Sequence, residues 1–204
     1  HADNRAQREG LGLEILAPED VHAVLGEIQA ISDAWLANQN TREKSFSLGA
    51  FDPDYLQRLP LALVRQGGRA VAFANLLLTD TRQEVRIDLM RYLPDAPPST
   101  MDFLLIRLML HYRAEGVARF GLGMAPLAGM AQHDRAPTWQ QMGRLFFEHG
   151  ERFYNFQGVR RFKEKFDPVW EPRYLAAPGG LAPLMALADI AALISGGLRG
   201  VVAT

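Results

Sequence analysis

A segment that mixes cationic and aromatic side chains runs from Asn155 to Ala176, and its residue types could support chemistry. If it forms a helix at about 100° per residue, Lys163 lies on the same face as Val159 and Phe162. An ammonium group on an apolar face can stabilise negative charge on a reacting carbonyl or phosphate, because a low dielectric strengthens the interaction. The same position also suits a lysine that only packs its alkyl stem against aromatic rings. The helical pattern by itself leaves both interpretations open.

Three other cations of this segment, Arg160, Arg161 and Lys165, point away from the apolar face on the same helical projection. Arginine and lysine side chains grouped in this way are suited to phosphate oxygens. A solvated surface face is the alternative. We therefore treat the two arginines as candidates for substrate binding.

A second group of chemically active residues lies in VRIDLMRY, Val85 to Tyr92, which has the composition of a central strand. Asp88 stands there between two apolar residues, and a buried carboxylate is costly unless it is paired. Its partner is expected to be Arg86, Arg91 or a substrate amine. In a regular strand Asp88 and Arg91 face opposite sides of the sheet, so they share a site only if the strand bulges or ends between them.

The composition excludes several classes of function. The chain has 204 residues, of which 48% are hydrophobic and 22% are charged, as in an ordinary folded domain. A net charge of −1 gives no overall attraction to nucleic acid. The absence of cysteine excludes disulfides and a cysteine nucleophile. The histidines are scattered without metal-ligand spacing, and neither a GxSxG motif nor a P-loop is present, so we predict no metal site and no covalent catalysis.

No segment has the pattern of a secretory signal or a membrane span. The most apolar tract, Leu181 to Ile194, is shorter than the roughly 20 residues that a spanning helix needs, and it contains Asp189. We therefore expect this chain to be soluble or to lie on a membrane surface.

The order of predicted elements indicates an α+β fold, a mixed central sheet flanked by helices. Apolar periodicity and turn residues predict the following elements: a helix over 18–38, a hairpin about Gln66–Gly68, a strand over Val85–Tyr92, a helix over Met101–Glu115 capped by Ser99 and Asp102, a strand in RFGLGMAPL, a helix from Thr138 and a short strand over Arg173–Ala176. We predict one domain over residues 1–178 and a C-terminal helix or tail over 179–204.

This element order suits a GNAT-like acyltransferase fold. In that fold a glycine-rich turn after the central strand binds the pyrophosphate of coenzyme A through its backbone amides. Here the turn is RYLPDAPPSTMD, which has no glycine and three prolines that lack amide donors. Acyl-coenzyme A is therefore not expected to be the donor.

Five sequence blocks occur in an order that resembles a known family: FSLGAFDPDYL, VRIDLMRY, MDFLLIRLML, FGLGMAPLAGM and FYNFQGVRRFKEKFDPVWEPRYLA. Together they resemble the C-terminal catalytic region of the aminoacyl-phosphatidylglycerol synthases, the phosphatidylglycerol lysyltransferase or multiple peptide resistance factor family. The resemblance extends from about Leu13 to Pro178.

The resemblance implies a reaction in which an aminoacyl group moves from aminoacyl-tRNA to the headgroup glycerol of phosphatidylglycerol. The family favours lysine as the transferred residue, although the sequence does not distinguish lysine from alanine. The resemblance also implies a reaction without a cofactor, at the cytoplasmic face of the bacterial inner membrane, which changes membrane charge and resistance to cationic antimicrobial peptides. It further implies a larger parent chain, with a preceding GNAT-like half and a membrane domain.

The resemblance also implies roles for particular residues. It marks Asp88, Arg91 and Lys163 as catalytic, and we therefore predict a β-bulge near Leu89–Met90 that brings the first two to one site. The predicted substrate-binding residues are Tyr55, which could bind an ester or headgroup oxygen, Glu43, which could recognise a cationic amino acid, and Arg160 and Arg161.

Two other functions are consistent with the same residues. One is a tRNA-dependent aminoacyltransferase with a peptide or sugar acceptor. The other is a non-catalytic module that binds tRNA or anionic lipid for a larger enzyme. Measurement of the lipid product and of turnover would separate them.

Overall fold

The computed structural model describes residues 8–39, 49–125, 156–174 and 182–194, together with positions 176, 178 and 180. The chain divides into two compact units, residues 1–123 and 124–204. The predicted boundary between residues 178 and 179 stays a prediction.

The first unit contains a sheet and its covering helices. Its elements are β1 (Leu11–Leu16), a 3-10 helix (Pro18–Val24), α1 (Leu25–Asn38), α2 (Pro53–Leu56), β2 (Leu61–Gln66), β3 (Arg69–Leu78), β4 (Glu84–Tyr92), α3 (Thr100–Ala114) and β5 (Arg119–Gly121). The described part of the second unit contains two helices, α4 (Phe156–Glu164) and α5 (Ala182–Ile194).

Within the described residues the sheet has the strand order β1-β2-β3-β4-β5. The first four strands are antiparallel neighbours, and β5 is parallel to β4, to which it is joined through α3. Gly67 and Gly68 form the turn between β2 and β3 with φ angles of +56° and +87°, which suit glycine and match the twist of a two-residue hairpin. The hairpin about Gln66–Gly68 is therefore confirmed.

Both faces of the central strands are covered. Residues 61–64 of β2 and 70–76 of β3 are buried without interruption, and successive residues of a strand point to opposite faces. Helix α1 contacts β3 and β4, and α3 contacts β1 to β4. This arrangement confirms the α+β, GNAT-like fold with a mixed sheet flanked by helices.

Several details of the predicted elements differ from the structure. The helix over 18–38 begins as a 3-10 helix, with Pro18 in its first turn. Ser99 makes no side-chain capping bond to α3; its hydroxyl donates instead to the carboxylate of Glu9. Strand β1 was not predicted, although Leu11, Leu13 and Ile15 alternate with other residues.

One of the predictions for the second unit is wrong, and another falls largely outside the described residues. Arg173 and Tyr174, the start of the predicted last strand, are in neither helix nor strand. The helix predicted from Thr138 lies largely outside the described residues. Among the helices of the described part, none combines the length and apolar character needed to cross a membrane.

Candidate functional site

The centre of the candidate site is a β-bulge in β4. Ala74 pairs with Met90 and Leu76 pairs with Ile87, so Asn75 of β3 faces two residues of β4, Asp88 and Leu89. Two residues opposite one is the definition of a bulge. It lies one residue before the predicted position of Leu89–Met90, and the prediction that this strand is irregular is confirmed.

Asn75 connects the two strands across the bulge. Its Oδ1 accepts a hydrogen bond of 2.7 Å from the backbone N–H of Leu89, and its Nδ2 donates one of 3.3 Å to Oδ2 of Asp88. The side chain is fully buried. A bulge removes a cross-strand partner from the backbone, and here the carboxamide replaces that partner for the Leu89 amide.

Tyr55 reaches the same carboxylate from helix α2. Asp52 caps this short helix by accepting hydrogen bonds from the backbone N–H groups of Asp54 and Tyr55, at 2.9 and 3.0 Å. Pro53 follows the cap, at a position where a helix needs no amide donor. The cap fixes the first turn, and the hydroxyl of Tyr55 donates to Oδ2 of Asp88 at 2.9 Å.

Gly49 closes the site over Asp88. A Cβ atom at this position would lie 2.6 Å from Cγ and 2.8 Å from Oδ1 of Asp88, closer than any ordinary contact. Phe51, two residues later, packs edge-on against Phe73 of β3, with 6.3 Å between ring centroids. The segment is thus held against the sheet, and the site accepts no side chain at Gly49.

The electrostatics of this cluster keep Tyr55 protonated. Burial, and then the hydrogen bond and the negative charge of Asp88, raise the pKa of Tyr55 to about 12, against a smaller opposite effect from Asn75. Tyr55 is therefore a hydrogen-bond donor at neutral pH. Both described hydrogen bonds to Asp88 end on Oδ2. Within the described part of the chain, Oδ1 is the oxygen of Asp88 that can accept a hydrogen bond from a substrate.

Arg91 is buried, at 3% exposure, on the strand that carries Asp88. Its Nη1 donates to the hydroxyl of Ser32, and its guanidinium lies 5.2 Å from the ring centre of Trp35, both on α1. The described contacts of Asp88 and Arg91 are thus with different residues. Arg86 pairs with Glu84 at 2.5 Å, so the contacts described for Asp88 are with uncharged groups.

In the second unit Lys163 lies near the end of α4 and is partly buried, whereas Arg161 is exposed. Val159 and Phe162 are partly buried on the same helix, as the helical projection predicts. The Nζ of Lys163 donates to the backbone carbonyl of Met124 at 2.7 Å. Burial lowers the pKa of Lys163 to about 8. An amine in this state exists in both protonation forms near neutral pH.

Arg160 has two described contacts. Its Nε donates to Glu164 one helical turn away at 2.7 Å, and its guanidinium lies 5.8 Å from the ring centre of Trp170. The helix ends at Glu164, so Phe166 lies beyond it, where its ring packs edge-on against Phe162.

The structure therefore places Tyr55 at Asp88, with Arg91 on the same strand against α1. Lys163, Arg160 and Arg161 belong to the second unit, and Glu43 lies outside the described residues. Asn75 and Gly49 were not identified from the sequence. An isolated asparagine in the apolar strand AVAFANLLL was the available signal for Asn75, because such a strand rarely carries an amide without a purpose. Within the described ranges, no cluster of side chains could hold a metal ion.

The fold is GNAT-like, and the comparisons with known proteins give the family. The model "Phosphatidylglycerol lysyltransferase, C-terminal" matches residues 1–177. The chain belongs to this family of transferases.

Relatives and solved structures agree with the family match. The phosphatidylglycerol lysyltransferase of Bacillus subtilis (strain 168) is 41% identical over 175 residues, which are 85% of this chain and 20% of the relative. The C-terminal domain of a putative lysylphosphatidylglycerol synthetase from Agrobacterium fabrum has 49% identity and a TM-score of 0.82, over 98% of this chain and 60% of that one. L-PGS from Bacillus licheniformis has 35% identity and a TM-score of 0.80, over 95% and 58%. The chain spans about a fifth of the length of the curated relatives that it matches.

Proposed function

We propose that the chain contributes to the transfer of an aminoacyl group, with lysyl favoured over alanyl, from aminoacyl-tRNA to the headgroup glycerol of phosphatidylglycerol. The family match over residues 1–177 carries this proposal. The reaction takes place at the cytoplasmic face of the bacterial inner membrane. The preceding GNAT-like half and the membrane domain of the parent chain are its partners there. The transfer adds positive charge to the membrane and so raises resistance to cationic antimicrobial peptides.

The transfer is a direct displacement at the ester carbonyl. A hydroxyl oxygen of the glycerol headgroup attacks the carbonyl carbon, the new ester bond forms, and the ester bond to the terminal ribose of the tRNA breaks. The proton of the attacking hydroxyl ends on the departing ribose oxygen. Oδ1 of Asp88 is suited to accept a hydrogen bond from this hydroxyl or from the ammonium of the aminoacyl group. Tyr55 stays protonated and donates to Oδ2.

The cationic residues stabilise the negative charge of the substrates. Lys163 in its ammonium form polarises the ester carbonyl, and its partly buried position strengthens this effect. Arg91 positions a phosphate or a carbonyl, and Arg160 and Arg161 contact phosphates of the tRNA or the lipid. Glu43 recognises the cationic side chain of a lysyl group.

No cofactor takes part in the proposed reaction. Between β4 and α3, Pro94, Pro97 and Pro98 remove backbone donors that a pyrophosphate would need. The activated acyl group is already present as the ester of the aminoacyl-tRNA, so coenzyme A is not required.

The direct test is a transfer assay with labelled lysyl-tRNA, or labelled alanyl-tRNA, and phosphatidylglycerol vesicles. Label should appear in lipid, and Asp88→Asn should abolish it because the variant loses the carboxylate but keeps the shape. Asp95→Asn is the matched control, since Asp95 forms an exposed ion pair with Arg69 at 2.8 Å and such pairs contribute little.

The assay is run on this chain and on the parent that contains it. Label in a peptide or sugar instead of lipid would support the other acceptor class. If neither protein transfers label, while tRNA or lipid binding is kept in Asp88→Asn, the chain is a binding module and the proposed reaction is wrong.

A further inference from the structure

Asn75 uses both ends of its carboxamide at the bulge. Oδ1 accepts from the Leu89 amide at 2.7 Å and Nδ2 donates to Asp88 at 3.3 Å. Its neighbours Ala74 and Leu76 are fully buried and apolar. A central strand in this environment normally takes a β-branched or apolar residue, so the buried amide needs an explanation beyond packing.

The orientation of this carboxamide is determined by its partners. A backbone N–H can only donate, so Oδ1 of Asn75 must face the Leu89 amide. Nδ2 then necessarily faces Oδ2 of Asp88. The opposite orientation would place two donors together at Leu89 and two acceptors together at Asp88, and the contact with Leu89 is buried, so water cannot easily compensate there.

Only asparagine meets both requirements at this position. Aspartate offers acceptors alone and leucine offers neither group. Serine has a single hydroxyl on a shorter side chain, and glutamine places its amide one carbon farther from the backbone. The bulge and the position of the Asp88 carboxylate are thus linked through one side chain.

We infer that Asn75 is a positioning residue for the transfer reaction: together with Tyr55 it holds Oδ2 of Asp88, so that Oδ1 stays available to a substrate hydroxyl or ammonium. This inference rests on the function proposed above. It also gives a reason for the bulge at Asp88. The bulge directs the backbone N–H of Leu89 to Oδ1 of Asn75, and Nδ2 of Asn75 can then bind the carboxylate of Asp88.

The variant that tests this inference is Asn75→Asp. Aspartate has nearly the same shape as asparagine, and one of its carboxylate oxygens can still accept from the Leu89 amide. The other oxygen replaces the Nδ2 donor and lies about as far from Asp88 as Nδ2 does now. Of the groups described against Asp88, Tyr55 of α2 is titratable and Asn75 of β3 is not. In the variant two carboxyl groups therefore meet, and the simultaneous ionisation of both is disfavoured.

In the transfer assay, Asn75→Asp should lower kcat at least about tenfold with little change in KM for aminoacyl-tRNA. The acid limb of its pH profile should move up by about one pH unit or more. Leu104→Ala is the control for general destabilisation, since it creates a cavity in α3 and leaves the Asp88 contacts intact. Unchanged activity in Asn75→Asp overturns the inference. The inference is also overturned if Leu104→Ala loses as much activity as Asn75→Asp at an equal fall in Tm, and the acid limb of Asn75→Asp has not moved.

A second readout does not depend on activity. Titration of the Asp88 carboxyl group by carbon NMR should give a higher midpoint in Asn75→Asp than in the unsubstituted chain, and an equal midpoint in Leu104→Ala. If the unsubstituted protein transfers nothing but this shift is seen, the proposed function fails while the contact between Asn75 and Asp88 holds. If transfer is seen and the midpoint does not shift, the positioning role fails and the proposed function stands.

Discussion

Gly49→Ala tests whether the carboxyl group of Asp88 must keep its position for transfer to occur. The added methyl group would lie 2.6 Å from Cγ of Asp88, whereas ordinary contacts begin at 3.4 Å. Either the segment around Gly49 or the carboxylate must move by about 1 Å, and a displacement of that size can cost on the order of a hundredfold in rate. The carboxylate is a short side chain, and moving it would strain its hydrogen bonds to Tyr55 and Asn75.

The measurement is kcat for label transfer from aminoacyl-tRNA to lipid, together with Tm. We expect kcat to fall on the order of a hundredfold. Tm should fall much less, because the three atoms nearest to the added methyl group all belong to the carboxylate of Asp88. Gly26→Ala in α1 is the matched control: a Cβ there meets nothing within 4 Å, and alanine in a helix is favoured by about 0.5–1 kcal/mol. Full activity in Gly49→Ala would refute the reasoning, since it would show that Asp88 tolerates the shift.

Two further predictions concern protonation and hydrogen bonding. Burial lowers the pKa of Lys163 to about 8, so its ammonium form is lost as pH rises through that value, and kcat should fall with it. Lys163→Arg stays charged and should show no such fall. An equal fall in both proteins would assign the titration to another group. Tyr55→Phe removes the donor to Asp88 and should lower kcat roughly tenfold or more, since bonds to charged groups are worth about 1.5–3 kcal/mol. Tyr92→Phe on the same sheet is its control, and an equal effect of the two substitutions would contradict a specific role of the Tyr55 hydroxyl.

The sequence predicted the parts of this protein that depend on local periodicity. The hairpin at Gly67 and Gly68 follows from a two-glycine turn between apolar runs. The partial burial of Lys163 follows from its angular position on α4, and the irregularity of β4 follows from the spacing between Asp88 and Arg91 combined with the family resemblance. Each of these inferences uses residues within one turn or one strand, where backbone geometry fixes the relation between side chains.

Strand β1 shows where the local pattern was insufficient. Leu11, Leu13 and Ile15 alternate, but the strand is short and its register with β2 is formed over a separation of about fifty residues. A short alternating run competes with other interpretations until a pairing strand is known. The end of the helix at Glu164 and the irregular backbone at Arg173 were also not evident from the pattern.

The sequence by itself determined the family, the α+β fold and the residues with suitable chemistry, because residue types, their order and their local spacing are written along the chain. Only the tertiary structure decided that Gly49, Tyr55 and Asn75 meet at Asp88 and that Arg91 lies against α1. These contacts join residues of different elements, and a long-range contact depends on how the sheet and helices pack rather than on any local period. Asp88 as a candidate residue was therefore visible in the sequence, whereas its partners were visible only in the fold.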